Sequence, residues 1–431
     1  MLLTGASIAT LHPPRVARAD LRIESDSVVD RGPRLRPRKG ELVEDCAGLM
    51  VMPGQVCAHT HVYSSLSRGM PGPRVPPRTF PEILRRIWWT LDQALDEESI
   101  HYSALVGAIG AVLCGTTTLV DHHASPNAIP GSLDIIRGAF SAVGIRGVLC
   151  YEVSDRGGRR RRDAGLAEND RFLSSTRHDP MARGLVGAHA SFTLSDRSLA
   201  AVGDLVRFHQ SGIHVHVAEA QEDVALTVRR HGCGIIDRLE RHHALTDLSV
   251  LAHGVHLTPR ELARIAEAGA WLVHNPRSNM HNGVGRANVE RFGDRTALGT
   301  DGWQADMFEE AGVAQLGLRD RLGPTAPSLA PRLLDGSQRL AASLFGMPFG
   351  TLESGAVADL VVHDYAPPTP MTDSTIAAHA LAGLHPGTVR HVMVGGRWVC
   401  RDGALTTVDA GEVYRRAALA AARLWQRMVA R

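Results

Sequence analysis

Short apolar, β-branched runs recur along the middle of the chain, at residues 55–61, 116–122, 146–153, 184–192, 212–219, 248–256, 270–276 and 295–302. Between them the apolar positions fall at the three-and-four spacing of amphipathic helices, as in 81–95, 98–114, 196–210 and 259–268. Eight strands alternating with helices over about 250 residues predict a (β/α)8 barrel. The two ends keep a different rhythm. Residues 19–24 alternate with a period of two, and 358–363 and 392–400 are strand-like, the last around a Gly395-Gly396 pair suited to a hairpin turn. The expected fold class is therefore α/β: a TIM-type barrel over 54–354, with a small β-sandwich domain built jointly from 1–53 and 355–431. The run 156–163, with five arginines, reads as an exposed loop carrying solvated charge, a phosphate-binding role being the sharper alternative.

Composition narrows the class. With 431 residues, 44% of them hydrophobic, the chain has ample material for a large core. A formal net charge of +2 gives no global electrostatic case for nucleic acid or a membrane surface. The six cysteines are scattered without a CxxC pair, which favours reduced thiols over a disulfide framework. The N-terminal stretch lacks the basic and apolar regions of a signal peptide, and no run offers the ~20 uncharged residues of a membrane helix. The expectation is a cytoplasmic enzyme with a small-molecule partner.

In such a barrel, chemistry sits at the C-terminal ends of the strands. There the sequence places His59 and His61, His122 and His123, His189, His216 and Glu219, His253, His274 and Asn275, and Asp301. A single strand-end histidine is more often a satisfied polar residue than a ligand, but so many on most of the strands are hard to explain as packing. His59 and His61 are two apart on a strand and share a face, so both imidazoles can meet one borderline metal ion. His216 is the natural third ligand, with His214 deeper and structural. Glu219, three residues beyond His216, suits a general base and acid beside a water. Asp301, between Gly299 and Gly302, is the expected fourth ligand and also positions that water; an ordinary turn aspartate is the bland alternative. His253 orients the water or polarises the substrate, or is simply structural. Lys39 is the only lysine and precedes the first barrel strand. A carbamylated-lysine bridge between two ions is thereby excluded, and a single divalent ion, Zn2+ before Fe2+, is the simpler expectation.

Pro53-Gly54 before His59-Thr-His61, then His216-Val-Ala-Glu219, then His253-Gly254 and Asp301 resemble the amidohydrolase superfamily in its mononuclear deaminase branch. Longer segments are similar to the SsnA-type aminohydrolases: residues 59–69, Trp88-Trp89, 95–99, Asp121-His-His-Ala-Ser-Pro126, 274–280, Gly299-Thr-Asp-Gly302 and 306–310. The branch is also similar to 8-oxoguanine deaminase and the s-triazine hydrolases. The resemblance implies hydrolytic deamination of an amino-substituted N-heterocycle, purine-like first, with catalytic Glu219, His253 and Asp301 and metal ligands His59, His61, His216 and Asp301. It also implies a homodimer. Substrate contacts are expected from strand-end loops, at Arg68, Gln93, His122, His123, His189 and Trp303. Rival readings keep the site but displace chloride or an alkylamine from a triazine, or open a cyclic amide. A non-catalytic scaffold is the rival from another class, disfavoured because every expected ligand is present.

Overall fold

The computed structural model describes residues 1–429. Parallel strands run through its centre in two sets. One is Gln55–Thr60, Thr116–His123, Arg146–Tyr151 and the short Ala182–Gly184; the other is Val186–Ala190, Ile213–Val217, Val250–His253, Trp271–His274 and Thr296–Leu298. Single parallel bridges, Thr60 to Asp301 and Val153 to Ala188, join the two sets into a ring. Almost every residue of these strands is buried, because the inward side fills the barrel and the outward side meets helices. The helices start at legible caps. Asp96 and Ser99 form a capping box for Glu97–Leu113, and Thr258 with Glu261, followed by Pro259, does the same for Pro259–Ala268.

Two local expectations are corrected. Residues 81–95 do not form one uninterrupted α-helix: the chain runs from Phe80–Ile83 through a π-helical turn, Leu84–Trp88, into Trp89–Ala94. A π turn shifts the helical phase, and this segment delivers Leu84, Trp88, Trp89 and Asp92 to one cavity. The arginine run at 156–163 is not a free loop. Gly158–Thr176 is a helix, Arg162 is buried, and Arg156 pairs with Glu152 at the end of the third strand.

Both ends of the chain enter one sheet of nine strands. Its order is Ala404–Leu405, Arg397–Arg401, Val389–Val394, Leu360–His363, Met50–Pro53, Leu2–Leu11, Pro14–Glu24 and Ser27–Gly32, with Val43–Asp45 also on Leu2–Leu11. The predicted hairpin is present: Gly395 and Gly396 both take left-handed φ, +53° and +72°, which a two-residue turn with this twist needs. Met50–Pro53 leads directly into the first barrel strand, so the sheet is anchored at the root of the metal-type motif. The sheet is also tied to the barrel by Arg146, which starts the third strand. Its guanidinium donates to both oxygens of Asp359 at 2.7 and 3.2 Å, with both residues buried. The last helix, Ala410–Val429, is an addition that strand periodicity did not announce. It leaves the sheet and lies on the barrel's helices, with Trp425 Nε1 donating to Leu66 O at 2.9 Å and Arg427 to Ala94 O at 2.8 Å. No helix among the described residues is long and apolar enough to cross a membrane.

Candidate active site

The mouth of the barrel opens into a cavity of about 620 Å³, a size suited to a small molecule. His61, His189, His216, Glu219, His253 and Asp301 line it, with Tyr63, Trp88, Trp89, Asp92 and Glu152. The first and eighth strands are laced together here, His61 N–H donating to Asp301 O at 3.1 Å and Asp301 N–H to His59 O at 3.0 Å. Gly299 makes that approach possible: a Cβ there would stand 2.8 Å from the His59 Cβ.

His59, His61, His216 and Asp301 converge, their ligand atoms lying within 4.8 Å of one another. The far nitrogen of each histidine is already engaged. His61 Nδ1 donates to His122 O at 2.6 Å and His216 Nδ1 to His189 O at 2.8 Å. His59 Nδ1 faces His214 Nε2 at 2.9 Å. A histidine whose Nδ1 donates presents a lone pair at Nε2. His61 Nε2 and His216 Nε2 are nonetheless only 3.1 Å apart, and Asp301 Oδ1 is 3.0 Å from His61 Nε2. His59 Nε2 is buried with no hydrogen-bond partner. Lone pairs and a carboxylate facing one another at these distances repel unless a positive charge lies between them, so the residues fit a divalent cation. Within the protein alone, a proton on His61 supplies that charge. Burial pushes His59 down to about 3. Burial also opposes charge on His61, but the hydrogen bond and attraction of Asp301 outweigh it and carry His61 up to about 9. Asp301 stays well below the usual carboxylate range against its burial, through His59 and His61.

Backbone strain sets two of these side chains. Asp301 and His253 have φ of +54° and +78°, uncommon for residues with a side chain. Ala218, at +49°, matters for a neighbour. In a continuing strand Glu219 would face away from His216, three residues earlier; the left-handed turn at Ala218 instead brings Glu219 into the cavity. Glu219 Oε2 lies 3.6 Å from His253 Nε2. Burial pushes Glu219 up to about 7, opposed by His253.

Several orienting residues carry no sequence signal that strand-end counting could use. Ser278 donates to Asp301 Oδ2, leaving Oδ1 toward the histidines. His253 Nδ1 donates to Asn279 Oδ1 at 2.8 Å. Both belong to the helix Pro276–His281 after the seventh strand. Glu152 was legible in principle, since it directly follows the third strand, the one strand for which the sequence reading names no polar residue. Burial disfavours its charge, but His189, Arg156 and His122 around it hold its carboxyl well below the usual range.

The expected substrate contacts divide. His189 lines the cavity, as do Arg68 and Trp303 at its exposed rim, Trp303 under the Arg277 guanidinium at 5.7 Å. Gln93 is exposed and does not line the cavity; its neighbour Asp92 does, because the π turn sets the helix phase. His122 and His123 are fully buried behind the lining. His122 Nε2 donates to the carbonyls of Ala188 and His214, and His123 Nε2 faces Ser125 Oγ at 2.9 Å.

An α/β barrel that gathers three imidazoles and an aspartate at its mouth, beside a half-buried glutamate, defines a metal-dependent hydrolase. The chain belongs to the amidohydrolase family, whose model matches residues 50–399. It is 29% identical to a 5′-deoxyadenosine deaminase of Methanopyrus kandleri, over 84% of each chain. Among solved structures, an adenosine deaminase from Xanthomonas campestris with bound zinc superposes with a TM-score of 0.86 at 22% identity, covering 98% of both chains. An atrazine chlorohydrolase from Arthrobacter aurescens TC1, complexed with zinc, gives 0.81 at 19% identity over 97% of this chain and 99% of that one. These two likenesses speak for the fold.

Proposed function

We propose that the protein is an aminohydrolase that removes ammonia from an amino-substituted N-heterocycle, purine-like first. The observation that carries this reading is Glu219 held in the cavity next to both His253 and Asp301, the three groups' polar atoms lying within 4.8 Å of one another. One relative, aligned over 84% of each chain, is named a 5′-deoxyadenosine deaminase, which supports the same reaction class.

His59, His61, His216 and Asp301 are the proposed ligands of one divalent ion, Zn2+ by its preference for several imidazoles and a carboxylate. Such an ion, when bound, supplies a Lewis acid that lowers the pKa of water from 15.7 to ~7. The chain does the rest. Asp301 Oδ1 and His253 fix the attacking water by accepting from and facing it. Glu219, poised near 7, takes the water's proton and returns it to a ring nitrogen as the carbon bearing the amino group is attacked. The proton of the newly added hydroxyl then passes, through Asp301 or Glu219, to the amino group, which leaves as ammonia while the ring keeps the oxygen as a carbonyl. His214 holds the His59 ring, while Ser278 and Asn279 hold Asp301 and His253.

The proposed division remains a barrel over 54–354 and a domain from 1–53 with 355–431. A separate apolar cluster of Leu3, Ile8, Leu21, Val51, Leu360 and Val362, drawn from both ends, supports a sandwich-like unit. Ammonia release from aminopurines, pterins, pyrimidines and aminotriazines, measured with metal-reconstituted protein, tests the function. Release from at least one amino-heterocycle is expected. Hydrolysis of a cyclic amide or chloride release from a triazine, with no ammonia from any member, would replace the deaminase reading by one of its two rivals.

A further inference from the structure

The cavity has a second polar wall, formed by Asp92, Glu152 and His189, that the reaction above leaves unused. All three are at least nine-tenths buried and line the cavity. Each presents an acceptor. Asp92 Oδ1 is buried without a hydrogen-bond partner. His189 Nδ1 lies 2.9 Å from Thr193 Oγ1, whose own proton goes to Ala190 O at 2.9 Å. His189 Nδ1 is therefore the donor, and its Nε2 carries the lone pair. Glu152 is a carboxylate fixed from behind, by a hydrogen bond from Arg156 and by His122 Nδ1 at 3.5 Å.

Arg156 does not turn this wall into an anion site. It spans the two acids, 3.4 Å from Asp92 Oδ2, and stacks on Trp89 at 4.8 Å, but is not itself among the residues lining the cavity. Burial pushes Asp92 up to about 7, so Asp92 and Glu152 together offset the one guanidinium, and the wall is acceptor-rich without a net positive charge.

We propose that this wall selects ring substrates that present hydrogen-bond donors away from the bond being broken, and rejects those carrying a carboxylate or phosphate there. The donor is a second amino group, a ring N–H or a sugar hydroxyl. The inference rests on the hydrolase reading for its substrate class and adds the group that is recognised. A substrate lacking the donor leaves a buried charged acceptor unpaired, a cost of roughly 10- to 100-fold in affinity.

The test is calorimetric binding to the metal-loaded, full-length Glu219→Gln protein, with ammonia release followed separately in the unmodified enzyme. One arm compares 2,6-diaminopurine with its 2-dimethylamino counterpart. The other compares adenosine with its 2′,3′-di-O-methyl derivative. The donor-bearing ligand is expected to bind roughly 10- to 100-fold more tightly in one arm, and that arm identifies the donor as ring or sugar. Glu152→Gln and His189→Phe, each added to that protein, should both shrink the preference; the second keeps the ring packing and serves if the first does not fold. Equal affinities in both arms, a preference untouched by either variant, or tighter binding of a carboxylate-bearing analogue would overturn the proposal. A donor preference without ammonia release sinks the deamination reading and leaves the wall standing; ammonia release without a preference does the reverse.

Discussion

The two ends of the barrel bury charged groups in opposite ways. Where the strands begin, Arg146 and Asp359 satisfy one another, and the remaining capacity goes to Pro180 O and to Gly395 N–H, the latter at 2.7 Å. Where the strands finish, His59 Nε2, His253 Nε2 and Asp92 Oδ1 are buried without hydrogen-bond partners. Each such atom costs about 1–3 kcal/mol of stability. The left-handed backbone at Asp301 and His253 adds to that cost. A fold sustains such a concentration of open polar groups where a ligand completes them. The closed end holds the molecule together, and the open end is arranged for an ion and a substrate.

The largest effect should come from the open end. Stripping divalent metal with a chelator is expected to reduce turnover to background, and re-adding Zn2+ to restore it. His61→Asn should bind less than stoichiometric metal and resist restoration; full turnover in verified metal-free protein would break the contrast between the two ends. Glu219→Gln comes next, with turnover lower by ~10²–10⁴ while metal content and melting temperature stay near those of the parent. A Gln variant of near-normal turnover would remove Glu219 from the proton path.

The closed end predicts the converse pattern. Asp359→Ala strands the Arg146 guanidinium in the interior and should cost about 3–5 kcal/mol in denaturant unfolding. Its folded fraction should keep the parent's turnover, and a loss of turnover with no loss of stability would contradict the assignment. The smallest effect concerns His363 in the terminal sheet. It is buried, its Nδ1 faces Thr388 Oγ1 at 3.1 Å, and burial pushes it down to about 4. Because the folded pKa lies below the unfolded one, its contribution to stability is complete above ~6.5 and is lost as pH falls toward 4, by ~3 kcal/mol at most. His363→Gln should flatten the stability curve across that window; an unchanged slope would mean that His363 is not kept neutral by the fold.

The chain's period changes made most of the architecture legible. Each of the eight barrel runs contains an observed strand, because β-branched runs between amphipathic helices have few other ways to bury both faces. The Gly395-Gly396 hairpin was equally plain, since that glycine pair supplies two left-handed residues between strand-like runs. Residues 156–163 misled because charge was weighed above helix formation; a helix can begin in an arginine run when its side chains find acids such as Glu152 and Asp163. Asp92 rather than its neighbour Gln93 lines the cavity, a helix phase set beside a π turn that a 3.6-residue count does not show.

Sequence alone determined which residue types stand at the strand ends, since the alternation of a strand dictates that His59 and His61 share a face. It could not determine which nitrogen each histidine presents, because that depends on partners distant in the chain: His122 O for His61, His189 O for His216 and His214 for His59. Nor could it find Asp92, Glu152 and Arg156 as neighbours, or Ser278 and Asn279 as the supports of Asp301 and His253. Strand and helix periods are local properties of the backbone. The direction of a lone pair and the company of a buried charge are settled only when separate strands close into one barrel.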